Sequence, residues 1–356
     1  MAGPSGKQLL APTFDILTNG QRLTQRDRAY LVDLEVDVSV AIPSMFALVM
    51  GAADTQEEDV PWLDEDMFAI GRSVEVKLGY ESELASMIKG EITGLEPEFS
   101  AARRPALRVR GYDRRHRLMR GLQTRTFVKM KDSDIAQQIA GEANLRPDVA
   151  DTKIIHDYLF QGNQTNMDFL QERARSIQYE LIVDDKTLRF RPVANKEREA
   201  VTLTMEHDLL EFYPRLTSFQ QVSSVTVRGW NPKEKREIVG RAGGGDEESR
   251  MGGDRSDIST APTAFGQQVT MVADRPVLTQ EEADQLAKSR FKSLGLCLIA
   301  GDGVCWGRTD LVPGTVIKVE GVGKRFGGQY YVTSVVHRYS PQQGYHTHFE
   351  FQRNAS

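Results

Sequence analysis

Three histidines are the residues of this sequence best placed to do chemistry. His346-Thr347-His348 sets two imidazoles two residues apart, so a β-strand would project both from one face, and His337 falls on the strand expected beside it. Such a trio could ligate zinc and activate water. A working site also needs partners that orient its ligands, and no carboxylate or hydrolase signature accompanies these three. They are therefore read as strand-surface histidines, and no metal and no cofactor is assigned. Gly321-Val322-Gly323-Lys324 invites comparison with a phosphate-binding loop. That loop requires a glycine five residues before its last one and Ser or Thr after the lysine, where this sequence has Lys318 and Arg325. It is read as a glycine-rich hairpin connection. Gly111-Tyr112-Asp113-Arg114-Arg115-His116 concentrates charge but lacks a nucleophile with a partnered base, and reads as a polar joint. Asp54, Glu57, Glu58, Asp59, Asp64, Glu65 and Asp66 lack the spacing of a calcium loop and read as a solvated acidic loop. Among 50 acidic residues no spacing singles out a glycosidase pair. Cys297 and Cys305 fit neither a zinc knuckle nor a disulfide framework. No catalytic residue is assigned, and the chain is read as non-enzymatic.

The elements that must position these residues set the frame. At 356 residues the chain exceeds one typical domain, and 40% hydrophobic with 27% charged residues is ordinary for a chain folding in water. Acidic residues outnumber the 45 basic ones, and the net charge of −5 offers no footprint for tight nucleic-acid binding. No run approaches the ~20 apolar residues of a membrane span, and MAGPSGKQLLAPTF lacks the flank and core of a secretion signal. Synthesis in the cytoplasm without stable membrane insertion is expected.

Residues 1–12 read as a flexible tail. From 13 to 111 the pattern is β: Val74, Val76 and Leu78 alternate with Glu75, Lys77 and Gly79, and Leu34, Val36, Val38 and Val40 with Glu35, Asp37 and Ser39. Residues 112–200 read as an α/β insertion. Ser133 precedes a helical stripe of Ile135, Ala136, Ile139, Ala140 and Ala143 that Asn144 and Pro147 end, and Thr165 to Asp168 start a second helix. A hairpin follows around Asp184-Asp185-Lys186. Residues 201–239 and 266–356 are β-rich again, with a helix at about 279–294 begun by Thr279-x-x-Glu282 and closed by Gly295. Between them, 240–265 reads as a flexible Gly-rich loop with little to bury.

A faint internal repeat joins the two β-rich portions. Gly71-x-x-Val74-x-Val76 matches Gly314-x-x-Ile317-x-Val319, and Ile92-Thr93-x-Leu95 matches Val332-Thr333-x-Val335 about 20 residues later in each.

GYDRRHRLMRG at 111–121, TFVKMKDSDIAQQIA, QGNQTNMDFLQERARSIQYELIVDD at 161–185, VTVRGWNP at 225–232 and the stretch 311–349 from LVPGTVIKVEG to GYHTHF together run nearly the length of the chain. In these segments the sequence resembles the phage late control D family and the N-terminal hub part of valine-glycine repeat protein G. The resemblance implies an α+β, mostly β fold: two tail-tube-like β-barrels with an inserted α/β subdomain, three chains forming a ring of pseudo-sixfold symmetry. It implies a structural hub of a contractile phage tail or contractile injection system that adapts a threefold spike to a sixfold tube. Gly111, Tyr112, Asp113, Gly229, Trp230, Pro313, Gly314, Gly321, Gly323, Gly344 and Tyr345 are the residues on which its structural motifs fall. The implied partners are two further copies in a homotrimer, an inner tube protein, a spike or spike-tip protein, baseplate proteins and effector cargo, within a virion tail or injection particle. The chain stops at Ser356, soon after the last matching segment, so the spike is expected as a separate chain or as a part removed from this one. Two rivals stand beside this reading. A glycan- or receptor-binding tip protein needs clustered exposed aromatics, for which Trp62, Trp230 and Trp306 are the tryptophans at hand; a metal-dependent hydrolase would use His337, His346 and His348.

Overall fold

A computed structural model describes residues 11–51, 62, 66–81, 83–101, 103–194, 199–219, 221–246, 251, 266, 268–273 and 276–355. Tail residues 1–10, the acidic residues Asp54, Glu57, Glu58, Asp59, Asp64 and Glu65, and most of the 240–265 tract lie outside the described residues.

The fold is mostly β with few helices, and a 13-stranded sheet is its backbone. Read across, its strands are Leu209–Leu216, Ile299–Trp306, Gly344–Arg353, Gly328–Ser340, Leu31–Ser39, Met45–Gly51, Arg103–Asp113, Glu83–Ser100, Ser73–Tyr80, Pro12–Thr18 and Gln21–Arg22. Val316–Glu320 branches from Gly328–Ser340 and carries Val201–Thr204 in parallel. The alternation seen in sequence acts as strand physics requires: Val74, Val76 and Leu78 are buried while Glu75 and Lys77 are partly exposed.

The two expected tail-tube-like β-barrels are not seen as closed barrels. Among the described residues no sheet closes on itself. Leu31–Ser39, which ends the first half, hydrogen-bonds to Gly328–Ser340 of the second, with Val36 opposite His337. The edge that would close one half is spent joining it to the other.

The strands Ser224–Asn231, Arg236–Gly243 and Val269–Val272 stay apart from the large sheet as a three-stranded sheet of their own. Its inner face, Val225, Val227, Ile238 and Ala242, packs on Ala287 and Phe291 of the helix Gln280–Leu296. Thr279 starts that helix by accepting a bond from the Glu282 amide. Within the 240–265 tract, residues to Gly243 complete a strand, and Met251 is buried with Leu296, Val316 and Tyr331, so these parts are not loose loop.

The insertion has its own core, in which Ile135, Ile139, Leu170, Leu188 and Phe190 are fully buried. Its first helix, Asp132–Glu142, starts one residue ahead of Ser133, because Asp134 and not Ser133 receives the Lys131 amide. Asn144, at φ 56°, turns the chain out of it. Thr165 accepts from the Asp168 amide to begin Asn166–Ser176. Separate apolar clusters sit under the two halves of the large sheet, around Leu34, Phe46 and Val76 in one and Ile317, Val332 and Phe351 in the other.

Candidate functional site

Three joints between the insertion and the rest of the chain hold several of the charged side chains that the fold buries. The first grows from the end of Arg103–Asp113. Gly111 lies under the Phe46 ring, and a Cβ there would overlap that ring and the Glu91 carbonyl. Tyr112 stands opposite Met45 and Glu91 in the adjoining strands. Asp113 then caps the 3-10 turn Arg114–Met119, accepting from the Arg115 amide at 2.8 Å and from the Ser44 amide at 2.8 Å. Arg115, 1% exposed, pairs with Asp113 at 2.7 Å and donates to Ser39 O at 2.9 Å, Ser44 Oγ at 2.8 Å and Leu181 O at 3.2 Å. A guanidinium suits this place because its planar fork reaches a carboxylate and carbonyls on two different elements at once.

Next to it, Glu91 receives Arg114 at 3.2 Å, His116 Nε2 at 2.8 Å and Arg117, whose Nε is 3.0 Å away; Arg114 also pairs with Asp185 of the insertion hairpin. Burial would raise the Glu91 pKa, but the bonds from Arg117 and His116 and the charges of Arg117 and Arg114 outweigh it and bring it down to about 2.

At the second joint, Glu180 in the insertion strand Tyr179–Asp184 takes Arg191 Nε at 2.8 Å and the Tyr331 hydroxyl at 2.6 Å from the large sheet. Pro313 and Gly314 are buried beside this pair, with a Cβ on Gly314 placed 3.6 Å from Glu180 Oε1 and 3.5 Å from Arg191.

The third joint is a buried charge network. His156 lies 3.1 Å from Asp132 and 3.0 Å from Glu282 of the long helix, while Arg173 donates to Asp132 at 2.6 and 3.1 Å. Burial favours neutral His156, but its bonds to Asp132 and Glu282 prevail and raise its pKa. Asp132 is held low by His156 and Arg173 against its own burial.

The remaining sequence-selected residues are dispersed. Gly229 faces the Val277 backbone, which leaves no room for a Cβ, and Trp230 is exposed on the outer side of the small sheet. Gly321 and Gly323 belong to the connection between Val316–Glu320 and Gly328–Ser340, which pair as a hairpin. Gly344 ends the turn into Gly344–Arg353, and Tyr345 is buried in the core of the first half, its hydroxyl 2.8 Å from His337 Nδ1.

The three histidines do not converge. His337 stands opposite Thr347, so it points to the other face of the sheet from His346 and His348. Burial depresses its pKa to about 4 and keeps it neutral. His346 lies against the exposed Trp306 ring at 5.3 Å. Among the described residues no group of three His, Cys, Asp or Glu side chains could hold a metal ion. Cys297 and Cys305 are free thiols, and burial pushes the Cys305 thiol up to about 12, far from a reactive thiolate. The arrangement can fasten elements together; the carboxylates at its joints are taken up by arginine, histidine and tyrosine partners.

Sequence reading missed Glu91, Asp132, His156, Arg173, Glu180 and Glu282 as joint residues. Glu180 alone left a local signal, a charge preceding the apolar run Leu181 to Val183.

The internal repeat has a geometric counterpart. Gly71 N donates to Ile92 O and Gly314 N to Val332 O, each at 2.8 Å; Ile92 N donates to Arg72 O and Val332 N to Thr315 O, each at 2.9 Å. Gly71 and Gly314 adopt φ of 89° and 80°, which L side chains rarely adopt. Both following strands bulge at the matching place, between Ile92 and Gly94 and between Val332 and Ser334.

The family model described as the Alg8 N-terminal domain matches residues 9–341. The chain belongs to that family. No curated protein matches its sequence. The fold of this Alg8 N-terminal-domain chain is similar to solved phage tail and type VI secretion proteins. It is similar to the 43 kDa tail protein of prophage MuSo2 from Shewanella oneidensis at TM-score 0.71 and 13% identity, over 97% of this chain and 99% of that one. A tail protein from Neisseria meningitidis MC58 is similar at TM-score 0.69 and 13% identity, over 97% of each chain. An E. coli protein described as a component of the type VI secretion system is similar at TM-score 0.58 and 12% identity, over 92% of this chain and 74% of that one. No helix among the described residues is long and apolar enough to cross a membrane.

Proposed function

We propose that this chain is a structural hub of a contractile phage tail or contractile injection system, of the late control D kind, without a catalytic centre. In this reading three copies form a ring in which each chain contributes two tube-like units, so that a sixfold inner tube meets a threefold spike, with baseplate proteins around it and cargo passing through. The observation that carries it is the repeat: two halves of one chain reproduce the same glycine turn, backbone bonds and bulge, the internal symmetry a threefold assembly needs to present six equivalent units. The likeness in fold to tail proteins over nearly the whole chain supports it. So does the character of the buried polar groups, which bind elements to one another. Gly111 to Asp113, Gly229, Trp230, Pro313, Gly314, Gly321, Gly323, Gly344 and Tyr345 serve as framework in this reading, at turns, close approaches and joints.

Deleting the gene in a strain that makes particles tests it. The expected outcome is tube and spike components that no longer join, restored by the wild-type gene. Complete, firing particles lacking the chain would refute it.

A further inference from the structure

The two halves can be followed strand by strand outward from the matched bonds. Ile92 stands opposite Gly111, Gly111 opposite Phe46, and Phe46 opposite Val36. In the second half Val332 stands opposite Phe351, Phe351 opposite Gly301, and Gly301 opposite Pro214. Leu209–Leu216 therefore occupies in the second half the place that Leu31–Ser39 occupies in the first.

Leu31–Ser39 uses its outer edge: it pairs antiparallel with residues 334–339, burying Leu34, Val36 and Val335 and joining Glu35 to Arg338 at 3.0 Å. The counterparts of both partners are bare. Leu209 is bridged to Met205, but among the described residues the outer edge of residues 211–216 and the edge of residues 94–99 away from Arg103–Asp113 pair with nothing. Residues 95–100 are exposed throughout; they pair on one side with residues 103–109, of which Ala106 to Val109 also pair with Leu48 to Gly51, and Leu95 and Phe99 (70% exposed) face water. Exposed Tyr213, Leu216 and Phe219 mark the other bare edge. An unpaired apolar edge is a template for another strand.

Backbone directions agree. Thr217 N donates inward to Leu298 O, so by alternation Leu216 and Pro214 present their backbone groups outward. In the internal junction Val40 N donates to Thr333 O, which sets the matching pattern for residues 38 and 335.

Resting on the reading of the chain as an assembling hub, we propose that Leu209–Leu216 of a second copy pairs antiparallel with residues 94–98 of the first, in the register of the internal junction. That register sets Leu216 opposite Leu95, Arg215 opposite Glu96, Pro214 opposite Pro97 and Tyr213 opposite Glu98. An apolar pair replaces Val38–Val335, and Arg215–Glu96 supplies the opposite charges that cross-strand neighbours favour. Ser218 N donates to Thr93 O as Val40 N does to Thr333 O. Pro214 and Pro97 face each other at a hydrogen-bonding position of this register, so the ladder loses both donors there, and on the free chain the two prolines blunt the edges against other strands. Each chain thus carries both halves of a head-to-tail contact, which closes into a ring.

The test is disulfide trapping in the full chain carrying Cys297→Ser, with Glu96→Cys and Arg215→Cys together and singly, mildly oxidised. The double variant should give covalent ladders ending at the closed ring, at least tenfold more than either single variant. Glu96→Arg and Arg215→Glu should each weaken assembly tenfold or more, and the two together should restore it. Oligomers that persist without trapping and ignore both charge reversals would overturn this register while leaving the hub reading intact. A chain that stays monomeric with its tube partner present and does not trap would overturn both.

Discussion

Replacing Arg115 with Met takes away a buried cation that holds two parts of the chain together. Arg115 pairs with Asp113 and donates to Ser39 O, Ser44 Oγ and Leu181 O, so the change leaves the Asp113 carboxylate buried with two backbone amides and no charge partner, and leaves the Leu181 and Ser39 carbonyls short of a donor. Removing one member of a buried ion pair costs about 3–5 kcal/mol. Since Leu181 belongs to the insertion and Ser39 to the large sheet, the loss should concentrate at that joint. Native-state hydrogen exchange would read it as faster exchange in Tyr179–Asp184 and Leu31–Ser39, with the small sheet unchanged, and denaturant unfolding would give the size. Arg115→Lys should fall between, because an ammonium keeps the charge but cannot span both carbonyls. Arg115→Met with Asp113→Asn should cost less than the sum of the two single changes. A loss below about 1 kcal/mol for Arg115→Met, or one spread evenly over the molecule, would refute the joint as drawn.

Three further perturbations follow from the same geometry. His156 has a raised pKa, so its stabilising contribution is present below its ordinary value of 6.5 and lost as pH rises through the raised one; hydrogen exchange at the start of Gln280–Leu296 should speed up across that window, and His156→Gln should flatten the pH dependence. Glu91, brought down to about 2, contributes stability that is present above its ordinary value of 4.5 and lost as pH falls through about 2; Glu91→Gln should cost roughly 3 kcal/mol in neutral denaturant melts and little in strong acid. Gly314→Val forces a β-branched residue to φ 80° beside Val40 and Arg191, and should cost at least about 1–2 kcal/mol in melts and reduce assembly, whereas Gly323→Ala, with open space around it, should cost less.

Local order was legible in the sequence, and long-range pairing was not. The alternation at Val74 to Leu78, the caps at Thr165 and Thr279 and the hairpin at Asp184 to Lys186 depend on neighbours a few residues away, and each takes the form its residues dictate. Period-two alternation in Leu31–Ser39 reports which face is buried but not which strand lies alongside, so the merger with residues 334–339 left no trace. For the same reason the separate sheet of Ser224–Asn231 looked like a continuation of its neighbours. The polar joint at Gly111 to His116 was visible because its charges are contiguous. His156 and Glu282, 126 residues apart, meet only through the packing of the long helix against the insertion.

The central claim, assembly of this chain into a closed threefold hub, is tested most directly by the native mass of the purified full chain at micromolar concentration with its tube partner present. A particle containing three 39.9 kDa chains is the predicted result, and a concentration-independent single chain that leaves the tube protein unbound would contradict it.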